Sequence, residues 1–302
     1  MSNFWQGVLP AITTPFLDKG EVDHGFLAHH VNLMMEAGCT GIVPLGSLGE
    51  TATLSFDEKR AVLRTVVRAV AGRGAVVSGV AALATADAVR LAQMAEAENC
   101  QGLMVLPPYV YSTDWREMKA HVSAVIASTN LPCMLYNNPV AYRTDFTALQ
   151  MQELAAIHPN LAAVKESSTD VRRIAAIRSA LGSRLEILVG VDDLIVEGIA
   201  AGATGWVAGL VNAFPAETMS LFKLARAGRW EELQPLYHWF LPLLRMDVVP
   251  KFVQLIKLAQ SRVAMGSQAV RAPRLVLAGD ELAQAEAVIA EALASRPVLP
   301  TA

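Results

Sequence analysis

The stretch LAAVKESSTD, residues 161 to 170, sets a lysine inside a run of small apolar residues. A lysine among apolar neighbours loses the hydration of its charged form, which favours the free amine, and a free amine attacks a carbonyl to form a Schiff base. Lys165 is the leading candidate nucleophile. A lysine also reaches solvent from a strand end along its aliphatic stem, or pairs with an acid such as Glu166, so a second chemical group must stand beside it. Tyr136, in YNNP at 136 to 139, supplies one, because a phenol facing the amine would carry protons during imine formation. A core tyrosine with a satisfied hydroxyl is the plainer alternative. The turn GSLGE, residues 46 to 50, offers backbone N–H groups and the Ser47 hydroxyl, which suit a carboxylate.

These groups act together only if one architecture gathers them. The apolar runs GVLPAITTPF, GIVPLG, AVVSGVA, GLMVLPP, PCMLYNNP, LAAVKESS, LEILVGVD and GWVAGLVN are each followed by a helical pattern. Apolar residues at consecutive strand positions mark burial on both faces, and strict alternation with helices implies parallel pairing through crossovers. Eight such units in about 220 residues fit a closed (β/α)8 TIM barrel, an α/β fold, better than an open sheet. Catalytic groups in such a barrel stand at the C-terminal strand ends. The sequence puts Thr13 and Thr14, Gly46 to Glu50, Pro107 to Tyr109, Tyr136 to Pro139, Lys165, and Gly190 to Asp193 there. Ser55 with Glu58 reads as a capping box, Thr85, Thr113 and Asp170 as N-caps, and Gly38, Gly72 and Gly182 as helix stops. After Ala213 the pattern is helix only. Residues 1–228 are therefore expected to form a catalytic barrel, and residues 229–302 a helical C-terminal appendage packed against it.

Composition narrows the partners. The chain has 302 residues, 53% hydrophobic and 18% charged, with a net charge of −3. Such a chain is globular, and it offers no electrostatic ground for a nucleic acid or an acidic membrane as partner. A small-molecule substrate is the expectation. Cys39, Cys100 and Cys133 are odd in number, far apart and in apolar settings, so they read as buried thiols of a reducing cytoplasm. The histidines His24, His29, His30, His121, His158 and His238 fall on helices or just beyond them, which disfavours a zinc-dependent mechanism. No P-loop, dinucleotide-binding glycine motif or nucleophile elbow occurs. The start MSNFWQGVLP lacks the basic region and apolar run of a signal peptide. Residues 198–216 are uncharged for long enough to cross a membrane, yet Gly198, Gly202, Gly205, Gly209, Asn212 and Pro215 break them into a short helix, a turn and a strand.

The motifs GSLGE, YNNP, VKES around Lys165 and GVDD at 190 to 193, in that order, resemble the dihydrodipicolinate synthase and N-acetylneuraminate lyase family of class I aldolases. The likeness of layout covers essentially the whole chain. It implies a homotetramer of barrels whose lysine forms a Schiff base with pyruvate or another 2-oxo acid. By position, it implies that Lys165 is the imine-forming base and Tyr136 the proton shuttle. Ser47, with Gly46 and Leu48 around it, would hold the carboxylate, and Asp192, with Gly190 and Gly209, would lie near the rest of the substrate. It also implies that no external cofactor is needed, since the protonated imine is itself the electron sink.

Within that resemblance the chain departs at three polar positions. The threonine of the lysine-biosynthetic synthase, which joins a relay with two tyrosines, is Leu48 here. The neighbour-supplied tyrosine of that relay falls at Val110, with Tyr111 one residue on, and the arginine for the second substrate's carboxylate falls at Ala141, with Arg143 out of register. These losses argue against dihydrodipicolinate synthesis. The turn threonine of the neuraminate lyases is missing too. The apolar Leu48 and the segment AGLVNAFP at 208 to 215 look similar to the branch that degrades hydroxyproline, so the specific expectation is a 1-pyrroline-4-hydroxy-2-carboxylate deaminase acting on a cyclic imine. The alternatives are a 2-keto-3-deoxy sugar acid aldolase or dehydratase, with Asp192 and Asp193 on substrate hydroxyls, an N-acetylneuraminate lyase-like aldolase, a dihydrodipicolinate synthase disfavoured by Leu48, Val110 and Ala141, and a barrel that binds a 2-oxo acid as a sensor without turnover.

Overall fold

The apolar runs form eight short strands: β1 Gly7–Pro10, β2 Gly41–Ile42, β3 Ala75–Val80, β4 Gly102–Val105, β5 Cys133–Asn137, β6 Leu161–Glu166, β7 Glu186–Val189 and β8 Gly205–Ala208. The computed structural model describes residues 4–108 and 113–299. Every residue of β3, β4 and β5 is buried, as consecutive apolar positions require. β2 is the shortest because Pro44, two residues on, has no N–H to add to a ladder.

All strands pair in parallel, in the order β1-β8-β7-β6-β5-β4-β3-β2. A parallel bridge between Ala11 and Val43, with the Val43 N–H donating to the Pro10 carbonyl at 2.8 Å, joins β1 to β2 and closes the ring. The molecule is a (β/α)8 barrel with additional C-terminal helices.

The helix starts were partly legible. Ser55 and Glu58 form the expected box on helix Phe56–Val70, with bonds of 3.2 and 2.8 Å. Three other caps need correction. Asp114, not Thr113, caps Trp115–Ala127, because its carboxylate reaches the Arg116 and Glu117 N–H groups together. Thr85 lies inside its helix, with Ala84 at the cap position, and its hydroxyl meets His121 at 3.0 Å instead. Val171 occupies the cap of Arg172–Leu181, while Asp170 accepts the Arg172 N–H from one residue earlier. Residues 198–216 break as expected, and among the described residues no helix is long and apolar enough to cross a membrane. The three cysteines are free and buried, and burial pushes their thiols up to about 12.

After helix Pro215–Ala227 come Trp230–Leu244, Phe252–Arg262 and Gly279–Ala294. Helix Phe252–Arg262 ties this extension to the mouth of the barrel. Its Lys257 donates to Glu50 at 2.6 Å and to the Thr14 and Ala269 carbonyls at 2.8 and 2.7 Å. Gln260, one turn on, joins Thr13, His30 and Asn212 in a buried polar network. Glu50 needs that partner: it is fully buried and adopts a left-handed backbone, φ +54°, which costs a non-glycine residue about 1 kcal/mol or more.

Candidate active site

The register of β5 against β6 decides the central pair. Tyr136 and Lys165 are direct Cα partners across the two strands, so their side chains leave the sheet on the same face. The Lys165 ammonium nitrogen lies 4.3 Å from the centre of the Tyr136 ring, and each residue is 6% exposed. The Glu166 carboxylate points to the other face, accepting from Asn137 at 3.0 Å and from the Ser168 N–H at 2.7 Å. Neither solvent nor Glu166 therefore takes up Lys165. Among the described residues it makes no hydrogen bond or ion pair of its own, and that is the state a nucleophilic amine needs.

Gly190 makes room for it. A Cβ there would sit 2.4 Å from Lys165 Cε and 2.1 Å from the Ser167 hydroxyl, so any larger residue would displace the lysine stem. Ser167 Oγ is itself buried with no hydrogen-bond partner among the described residues.

Beyond β7 and β8 the acids are unequal. Asp192 is fully buried and its oxygens are spoken for: Trp206 Nε1 donates at 2.8 Å, the Leu210 N–H at 2.7 Å and the Gly209 N–H at 3.1 Å. Burial pushes its carboxyl up to about 6 despite those donors. Asp193 is turned toward Arg245 at 3.9 Å, and burial raises it as well. Among the described residues, the acid that feels the Lys165 charge and makes no hydrogen bond is Asp247, from the short turn Arg245–Asp247 of the C-terminal extension. It is half-buried as a residue, with its carboxyl packed so tightly on Gly209 that a Cβ there would lie 2.0 Å from Oδ1. Burial, and then the charge of Asp192, hold its carboxyl well above the usual range. Asp247 escaped sequence reading because it lies 82 positions beyond Lys165 in a helical segment. Gly209, the glycine it needs, was visible.

On the opposite side, the GSLGE turn brings up Gly46, Ser47 and Leu48; Leu48 is buried at 3% exposure and Ser47 is half-buried. Ser47 Oγ shares a hydrogen bond with the Tyr142 hydroxyl, and the Tyr142 ring stands edge-on to Tyr136, centres 5.7 Å apart at 87°. Sequence reading passed over Tyr142. Its signal was a tyrosine six residues after Tyr136, behind a proline that starts a one-turn helix, Pro139–Tyr142. Ala141 is exposed on that turn, and Arg143 follows it in a left-handed conformation. Tyr109, Val110 and Tyr111 lie outside the described residues. The histidines lie on helices or, for His158, just after one, and among the described residues no group of three or more His, Cys, Asp or Glu is arranged to hold a metal ion.

The model of the dihydrodipicolinate synthetase family matches residues 4–292. A 4-hydroxy-tetrahydrodipicolinate synthase of Rhizobium meliloti (strain 1021) is 31% identical over 271 residues, covering 90% of this chain and 92% of its own. Among solved structures, the 4-hydroxy-tetrahydrodipicolinate synthase of Methylacidiphilum fumariolicum SolV superposes with a TM-score of 0.91 at 28% identity, covering 96% and 97% of the two chains. The chloride-inhibited dihydrodipicolinate synthase of Acinetobacter baumannii, complexed with pyruvate, superposes at 0.90 with 25% identity over 95% and 99%. These matches overturn the expectation of a 1-pyrroline-4-hydroxy-2-carboxylate deaminase. That expectation counted Leu48 as a hydroxyl lost from the mouth of the barrel, whereas the fold returns a hydroxyl to Ser47 from Tyr142. With a chemistry of class I Schiff-base lyases and a pyruvate-type substrate, the chain belongs to the dihydrodipicolinate synthetase family.

Proposed function

We propose that the protein binds pyruvate as a Schiff base on Lys165 and condenses it with an aldehyde, the reaction type of a 4-hydroxy-tetrahydrodipicolinate synthase. One observation carries this reading: a buried lysine without a hydrogen-bonding partner among the described residues, held over a phenol inside the barrel mouth. The amine attacks C2 of pyruvate, and the C2–O bond breaks as C2=N forms. The departing water takes its two protons from the nitrogen by way of Tyr136, which ends the step with the proton it began with. Transfer of a C3 proton to the imine nitrogen then gives an enamine whose carbon attacks the aldehyde, the nitrogen giving up that proton to the new alkoxide, and water later releases Lys165.

The name of the product defines the partner. Opening the ring imine of 4-hydroxy-tetrahydrodipicolinate and reversing the aldol at its hydroxyl leaves pyruvate and an amino acid that bears an aldehyde. In this reading Ser47, with Gly46 and Leu48, receives the pyruvate carboxylate, and Asp247 offers oxygen acceptors to the amine of the partner. Asp192 and Gly209 act at one remove, by fixing the β8 loop on which Asp247 rests. Residues 1–228 then carry most of the chemistry and residues 229–302 brace it, contributing Asp247. A homotetramer belongs to the same reading, and light scattering on purified protein tests it by molar mass.

The central test is reduction with borohydride in the presence of pyruvate, read by peptide mass. A pyruvate-derived adduct at Lys165 is expected, and an unmodified Lys165 would end the proposal. Formation of 4-hydroxy-tetrahydrodipicolinate from pyruvate and the amino-aldehyde tests the second half. Adduct without product would restrict the reading to pyruvate activation.

A further inference from the structure

The one-turn helix Pro139–Tyr142 follows β5 directly, and its two ends meet the two hydroxyls of the site. At the start, Asn138 Oδ1 accepts the Ala141 N–H at 2.9 Å, capping the turn. A backbone N–H only donates, so this contact settles which end of the amide is oxygen. The amide nitrogen is thereby left to donate to the Tyr136 hydroxyl at 3.0 Å. At the other end, Tyr142 hydrogen-bonds Ser47. A phenol is a stronger acid than an aliphatic alcohol and so the better donor, which favours Ser47 Oγ as the acceptor of that bond. In that arrangement each hydroxyl accepts a hydrogen bond from the turn and keeps its own proton to give elsewhere.

We infer that residues 138–142 form a positioning element that aims both protons at the bound oxo acid: Tyr142 acts through Ser47 on the carboxylate, and Asn138 through Tyr136 on the carbonyl oxygen that leaves as water. The inference rests on the reading of Lys165 as the imine-forming residue. It deepens that reading by explaining how a mouth with Leu48 beside Ser47 still presents ordered donors. The edge-on contact between Tyr142 and Tyr136 locks the two halves together, so the turn cannot shift at one hydroxyl without disturbing the other.

Two conservative variants separate the halves. Tyr142→Phe keeps the ring and its packing but removes the donor to Ser47. Asn138→Asp keeps an oxygen for the helix cap, but its second oxygen accepts rather than donates and so draws the Tyr136 proton away from the substrate. The assay is exchange of the pyruvate methyl protons in D2O, followed by proton NMR, which needs no aldehyde. Tyr142→Phe is expected to raise KM for pyruvate about tenfold with kcat within about threefold, the signature of a lost binding contact. Asn138→Asp is expected to lower kcat about tenfold or more with KM within about threefold. Both should melt within a few degrees of wild type. Kinetic constants unchanged within about twofold in both variants would overturn the positioning element, and so would KM and kcat falling together with melting temperature. Borohydride trapping run in parallel distinguishes the failures. A wild-type adduct at Lys165 with unaltered variants sinks this inference alone, whereas no wild-type adduct sinks the reading beneath it as well.

Discussion

Two lysines of this barrel are buried and lie over aromatic rings, Lys165 at 4.3 Å from the centre of Tyr136 and Lys257 at 4.5 Å from that of Phe16. Their surroundings otherwise differ. Lys257 donates to three oxygens within 2.8 Å, one of them the carboxylate of a fully buried glutamate. Burial pulls it below its usual range, with Glu50 opposing, yet every donor direction is already engaged. Lys165 has the ring beneath it and no such oxygens among the described residues. Burial alone therefore does not make an amine reactive. The difference is whether the fold completes its hydrogen bonding, as it does in the brace, or leaves that to a substrate, as in the mouth.

Substitutions at the two sites should diverge in kind. Lys165→Ala is expected to lower pyruvate methyl exchange by at least about 10³-fold while changing the melting temperature by only a few degrees, because among the described residues the lysine makes no hydrogen bond and its charge acts only at a distance on the buried carboxyls of Asp192 and Asp247. A variant that lost stability in step with activity would erase the contrast. Tyr136→Phe should cost roughly 10²- to 10⁴-fold in the same assay, the range for a positioned acid-base group; near-normal turnover would leave Lys165 without its proton carrier. Lys257→Met should instead act on the fold, losing about 3–5 kcal/mol in chemical denaturation, because Glu50 Oε1 and the Thr14 and Ala269 carbonyls lose their shared donor while the Arg271 N–H and Arg274 remain on Glu50 Oε2. Adding Glu50→Gln should return part of that loss, and simple additivity of the two would contradict a direct coupling of Lys257 to Glu50.

A smaller effect belongs to the brace, through Gln260 on the same helix as Lys257. Burial, with a minor push from His29, lowers His30 from 6.5 to about 4. The unfolded chain then binds a proton between those values that the folded chain refuses. The stability contributed by neutral His30 is complete above about pH 6.5 and is lost as pH falls toward 4, by roughly 3 kcal/mol. Denaturation midpoints across that window should slope in wild type and flatten in His30→Gln. An equal slope in both would move the effect to other groups.

Much of this contrast was visible in the chain at Lys165 and little of it at Lys257. LAAVKESS announces a lysine within a strand because apolar residues at consecutive positions have no other use. The Lys257 segment, KFVQLIKLAQSR, reads as an ordinary amphipathic helix, and nothing in it indicates that one lysine turns inward to meet a glutamate 207 positions away. The deaminase expectation failed for a related reason. Motif register treats Leu48 and Ala141 as losses in place, whereas Tyr142 reaches Ser47 from a different loop.

Local pattern specified eight strands, their parallel order, the capping box at Ser55 and the lysine and tyrosine on adjacent strands, since periodicity, turn residues and strand polarity act over a few neighbours at a time. Closure of the barrel decided the rest. It chose which lysine would be satisfied, delivered Asp247 onto Gly209 from the C-terminal extension, and set Tyr142 against Ser47. Contacts between residues tens to hundreds of positions apart depend on how elements pack, and packing leaves no periodic trace in the segments that meet.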